Sequence, residues 1–152
     1  MSDAIITLRN STDTQELSSV SFGTVDKGST SEEITIRIWN NYGGASPVSD
    51  AENCSLVVKT FTGVDEGDEV HNGQEIVSEK MVQAKCTSRG DTEFIAIGGA
   101  TTLPVGYTTG SRVLKGAISD PNEQVSTVVL KMVVPADASA SSINFKLFLS
   151  KT

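Results

Sequence analysis

The residues of this chain that could carry chemistry are few. There is one histidine, His71, and there are two cysteines, Cys54 and Cys86. A Ser-His-Asp triad needs an imidazole between nucleophile and carboxylate, so any such arrangement must use His71. That residue sits in a polar turn, and the chain contains no G-x-S-x-G, no G-x-x-x-x-G-K-[ST] and no G-x-G-x-x-G. No catalytic residue is expected, and the chain does not read as an enzyme. The acidic run VDEGDE at 64–69 could gather oxygens around Ca²⁺, which takes about six to eight of them. It lacks the spaced acids and distal Glu of an EF-hand loop and reads as a solvated hairpin tip. Two cysteines make no zinc site alone, and His71 is near neither in sequence. The expectation is two buried free thiols, no metal and no cofactor, with a disulfide or reactive thiol as the alternative.

Aromatic side chains are the other candidates. On the pleat of residues 34–40 the apolar Ile34, Ile36 and Ile38 alternate with Thr35, Arg37 and Trp39, so the only tryptophan faces away from the isoleucines. A large amphipathic ring facing outward commonly marks a contact, unless a loop of the same chain covers it. Phe148 raises the same question, opposite Phe145 and Leu147 in the alternation of the last segment. Tyr42 and Tyr107 lie on the two longest loops. Trp39, Tyr42, Tyr107 and Phe148 are therefore the candidate interface residues, and the first three could alternatively form a platform for a sugar ring.

The elements that position these residues read as strands. A 152-residue chain with 38% hydrophobic and 5% aromatic residues, 13 glycines and abundant Ser and Thr fits one all-β domain, residues 1–152, with enough length for a sizeable core. Strand patterns fall at 4–9, 20–25, 34–38, 55–62, 75–86, 92–98, 112–119, 124–134 and 142–150. The turn at 87–91, TSRGD, joins two of them into a hairpin, with Gly90 free to take positive φ. Residues 120–123, DPNE, make another turn, and loops near 40–51 and 98–110 are long for hairpin connections. Eight or nine short strands predict an antiparallel β-sandwich, with a closed barrel as the alternative.

A formal charge of −7 disfavours nucleic acid, whose binding depends on Lys and Arg, and disfavours anionic membranes. It favours basic or neutral protein surfaces as docking partners. Residues 1–10 show neither the basic nor the long apolar region of a signal peptide, and the most apolar window, 128–134, is too short to span a bilayer. A protein made in the cytoplasm is expected.

Two resemblances add to this. The stretch FGTVDKGSTSEEITIRIWN resembles the opening of immunoglobulin-like domains, where an F-G-x-V turn, a Gly-Ser pair and an alternating strand ending in Asn follow in order. The resemblance implies a sandwich of immunoglobulin-like or jelly-roll-like kind. The runs WNNYGGASPVSD, EIVSEKMVQAKC, FIAIGG, VLKGAISD and LKMVVPADASASSINFKLFLS are similar to small virion proteins encoded among the structural genes of tailed bacteriophages and prophages of Gram-positive bacteria. This implies a non-enzymatic structural protein of the virion that forms a homo-oligomer and partners capsid or tail subunits. A decoration-type accessory protein on the capsid exterior is the leading expectation. A tail or baseplate component and a carbohydrate-binding module are the alternatives.

Overall fold

The computed structural model describes residues 2–17, 26, 28–60, 81–98, 101–136 and 145–152, with residues 59–60 and 145–148 described by their backbone. Among them are eight strands: β1 (Ile6–Asn10), β2 (Ile34–Asn40), β3 (Ser55–Thr60), β4 (Val82–Cys86), β5 (Ile95–Ile97), β6 (Leu103–Pro104), β7 (Val125–Met132) and β8 (Phe145–Ser150). Two single 3-10 turns, Thr87–Arg89 and Pro121–Glu123, are the only helical segments described. The strands form two antiparallel sheets, one of five in the order β1-β2-β7-β4-β5 and one of three in the order β6-β3-β8. The chain is an all-β sandwich, as its alternation predicts, and two separate sheets replace the barrel alternative.

Side-chain alternation sets which face is buried. Ile36 and Ile38 of β2, Val128 and Leu130 of β7, and Val82, Ala84 and Cys86 of β4 turn inward and are fully buried against Leu56 and Val58 of β3 and Leu103 of β6. Each Ile or Leu withdrawn from water here contributes about 2 kcal/mol before the entropy of ordering the chain is counted. Ala4, Ile6 and Leu8 pack partly against the same core, and β1 lies at the sheet edge. The hairpin between β4 and β5 closes through Gly90 at φ 87°, a left-handed conformation that a residue without Cβ takes at little cost.

Three differences from the sequence reading have physical causes. Residues 112–119, expected as a strand, hold only an isolated bridge, Ala51 to Leu114, because the bonds on either side of it are one-sided: the carbonyls of Arg112 and Gly116 accept from the Cys54 and Val48 amides, but the Gly116 amide turns to Asp50 Oδ1. The segment 98–110, expected as a loop, contains β6, a strand too short to show a period. Strand β5 begins at Ile95, later than the pattern at 92–98 suggests, because the Cys86 amide and carbonyl are taken by Asp91, through its Oδ2 and its amide. The expected strand at 20–25, the acidic turn at 64–69, His71 and the first part of the 75–86 segment lie outside the described residues.

Candidate interaction surface

Strand β2 ends in two polar constructions that share one stretch of chain. The first is on the outward face. The register sets Arg9 of β1 directly opposite Arg37 of β2, and like charges in that position repel. Asp13, on the turn after β1, relieves the repulsion. Its Oδ2 lies 3.1 Å from Arg37 Nε, an ion pair whose N–H is not aimed along the contact, and its main-chain carbonyl accepts from Arg9 Nη2 at 2.8 Å. Its Oδ1 accepts from Trp39 Nε1 at 2.7 Å. The Tyr42 hydroxyl donates to the Asp13 carbonyl at 3.3 Å, and the Arg9 guanidinium carbon stands 3.9 Å from the centre of the Tyr42 ring. Trp39 and Tyr42 meet edge to face with centroids 4.9 Å apart.

Trp39 does face away from the core isoleucines, as the pleat requires. It is nonetheless only 7% exposed, because the turn carrying Asp13 and the ring of Tyr42 close over it. The exposed aromatic of the pair is Tyr42, at 40%. Tyr107 is half-buried against the core, so of the three rings only that of Tyr42 is exposed. Phe148 stands opposite Val57 in the backbone register of β8 and β3, and its side chain lies outside the described residues.

The second construction is buried. Asn40 continues the inward parity of Ile36 and Ile38 and is fully enclosed. Its Nδ2 donates to the carbonyls of Ser49 and Leu114, both at 3.0 Å, and its Oδ1 accepts from the Ile5 amide at 2.9 Å. Asn41, at φ 61°, sends its Nδ2 to the carbonyls of Ser46 and Gly116. Gln124, just before β7, closes the set by donating to the carbonyls of Asn40 and Asn41 at 3.0 and 3.1 Å. These three buried amides tie residues 2–5, 41–50 and 114–116 into one block. Main-chain bonds reinforce it, from Asn41 N to Ile5 O, Val48 N to Gly116 O and Ser49 N to Ser2 O. Gly116 is enclosed by the carbonyls of Val48 and Ser49, which leave no room for a Cβ.

The block holds large apolar side chains in water. Ile5 is 52% and Ile118 41% exposed, and Tyr42 leaves the same block. The one other exposed large apolar residue described, Ile95 at 41%, pairs with Ala84 in the row that leads through Leu130 to Ile34. That row lies at the far end of β2, six residues or about 20 Å from Asn40 along the strand.

Both thiols lie in the core. Cys54 and Cys86 are free thiols, both fully buried, as the sequence leads one to expect. Burial raises the Cys54 thiol from 9.0 to about 11, against the lowering effects of its bond to the Leu114 backbone and of Arg112. Cys86 Sγ lies 3.0 Å from Ser126 Oγ and 3.3 Å from Ser88 Oγ. Both hydroxyls serve the backbone of Gly106, Ser88 by donating to its carbonyl at 2.7 Å and Ser126 by accepting from its amide at 3.2 Å. Among the described residues no group of three or more His, Cys, Asp and Glu side chains is placed to hold a metal, and no helix is long and apolar enough to cross a membrane.

Sequence reasoning singled out Trp39 and Tyr42 but missed Asn40, Asn41, Gln124, Asp13 and Ser126. A signal was present for two of them, since Asn40 and Ser126 are polar residues at inward positions of otherwise apolar strands. Compared with known proteins, the chain matches no family model, no curated protein and no solved structure.

Proposed function

We propose that this chain is a non-enzymatic structural protein of a bacteriophage virion, an accessory protein of decoration type on the capsid exterior, with a tail or baseplate position as the close variant. The observation that supports the reading is the use made of polar groups. Asn40, Asn41 and Gln124 spend their buried amides on fixing a long surface loop, a device that prepares a shape for binding. The sequence offers Trp39, with Tyr42, Tyr107 and Phe148, as an outward aromatic for contacts between subunits. With Trp39 closed off by its own chain, Tyr42 takes that part.

A rigid sandwich that adds contacts between neighbouring subunits needs neither a pocket nor a reactive group, and its work is done by loops and sheet faces. The net charge of −7 suits an outward position better than one lining packaged DNA. The test is to purify particles by density gradient from a lysate of the phage or induced prophage that carries the gene, and to look for the chain in the particle band by mass spectrometry. Several copies per particle are expected. A chain found only among free proteins, and failing to co-sediment when added back, contradicts the proposal.

A further inference from the structure

We propose that the end of the sandwich built on Asn40, Asn41 and Gln124 is the docking surface, and that its partner is a protein surface with an apolar centre and a lysine- or arginine-rich rim. The inference rests on the virion reading and names the surface through which it would act.

Three of the four exposed large apolar side chains described lie within two residues of this block. Ile5 belongs to segment 2–5 and Ile118 follows Gly116 by two, while Tyr42 follows Asn41 and turns its ring back over Arg9 towards Asp13, at the border of the block. Isolated exposed apolar residues are ordinary, but several on one rigid end make a patch of the kind that binds. Little ordering cost remains on docking, because the loop between Asn41 and Asp50 is already fixed through Asn41 N, Gly44 N, Val48 N and Ser49 N.

Charge identifies the partner. Asp3 flanks Ile5, Asp120 lies two residues past Ile118, and Asp50 and Glu123 attach to the same block, Asp50 Oδ1 accepting from the Gly116 amide at 2.9 Å and the Glu123 carbonyl from the Lys115 amide at 2.8 Å. Against these four acids stands Lys115, whose Nζ is 3.6 Å from Asp50 Oδ2. An isologous contact between two copies would bring acid against acid in chains that already carry −7 each, so a cationic surface fits better than a second copy. The outward face of the larger sheet offers no such bias. Arg9, Arg37, Lys85 and Lys131 share it with Asp13 and, by the bridge to Arg9, with Glu16, and Glu33 stands at its border.

The experiment adds purified chain to particles of the same phage made without it and measures binding by co-sedimentation at low and high NaCl. The paired substitution Ile5→Ser with Ile118→Ser is expected to weaken binding by about tenfold or more. Asp120→Lys should weaken it and flatten its salt dependence. Ile95→Ser, equally exposed at the far end, should bind as the wild type does. Each variant is compared with wild type for thermal midpoint, since all the altered side chains are exposed and the fold is expected to persist. Wild-type binding that the paired substitution and Asp120→Lys leave intact overturns the docking surface and leaves the virion reading standing. Absence of wild-type binding overturns both. Self-association of the wild type in sedimentation velocity, abolished by Ile118→Ser, overturns the cationic partner in favour of a second copy.

Discussion

Asp13 and Asn41 hold nearly the same positive φ, 57° and 61°, and both use a short polar side chain to organise a loop after a strand. Asn and Asp tolerate this left-handed region better than other residues with a side chain. Their surroundings differ. Asn41 is 4% exposed and bonds to main-chain carbonyls, whereas the ion pair of Asp13 with Arg37 keeps 22% and 28% of the two side chains in water. Leaving a buried carbonyl without a donor costs the desolvation of that group, but an exposed ion pair is replaced by water and counterions. The same local device is therefore a main support at one place and a minor one at the other.

The sharpest way to break this contrast is at the buried block. Gly116→Ala would drive a Cβ into the carbonyls of Val48 and Ser49, and a loss of about 3 kcal/mol in denaturant unfolding is expected. Asn40→Ala leaves the Ser49 and Leu114 carbonyls and the Ile5 amide without their side-chain partner, with an expected cost of about 2 to 3 kcal/mol. At the half-exposed cluster Asp13→Ala should cost only about 1 kcal/mol, through the lost bond to Trp39 Nε1 and the uncovered Arg9–Arg37 pair. Asp13→Asn keeps the acceptor and the tolerance of φ 57° but removes the charge. Its cost should be a few tenths of a kcal/mol at low salt and vanish at high salt. Equal losses at Asn40 and Asp13 would erase the distinction.

An effect confined to alkaline pH separates the core from both. The Cys54 thiol is held up to about 11 from 9.0 by burial, so the folded state resists its ionisation. Below pH 9 the thiol is protonated in both states and has no effect on stability. As pH rises from about 9 towards 11 the unfolded chain loses the proton first, and stability falls. Cys54→Ala should flatten that part of the pH–stability curve. An unchanged slope would mean that the thiol is not desolvated.

How much of this was legible in the sequence follows from the range of the interactions. Period-two alternation in Ile34, Ile36 and Ile38 and in Val128, Leu130 and Met132 revealed two strands and their inward faces, because alternation is local. Gly90 and Asp120 revealed their turns for the same reason. The failure at 112–119 is non-local. Its pattern satisfies a strand, but the Gly116 amide turns to the Asp50 side chain, and Asn40 and Asn41, 74 and 75 residues away, share the Leu114 and Gly116 carbonyls with main-chain amides. Trp39 is instructive in both directions. Its outward direction could be read from the pleat, while its cover could not, since Asp13 reaches it across 26 residues.

A docking end of this kind requires the loop between Asn41 and Asp50 to be a fixed surface and not a loose connection. Native-state hydrogen exchange, read residue by residue, tests this directly. The amides of Asn41, Val48, Ser49 and Ala51, bonded to Ile5, Gly116, Ser2 and Leu114, are expected to exchange with protection close to that of the β2 core amides, and to lose it in Asn40→Ala. Exchange of these four amides at the rates of an open loop, in a protein whose β2 amides stay protected, would contradict it.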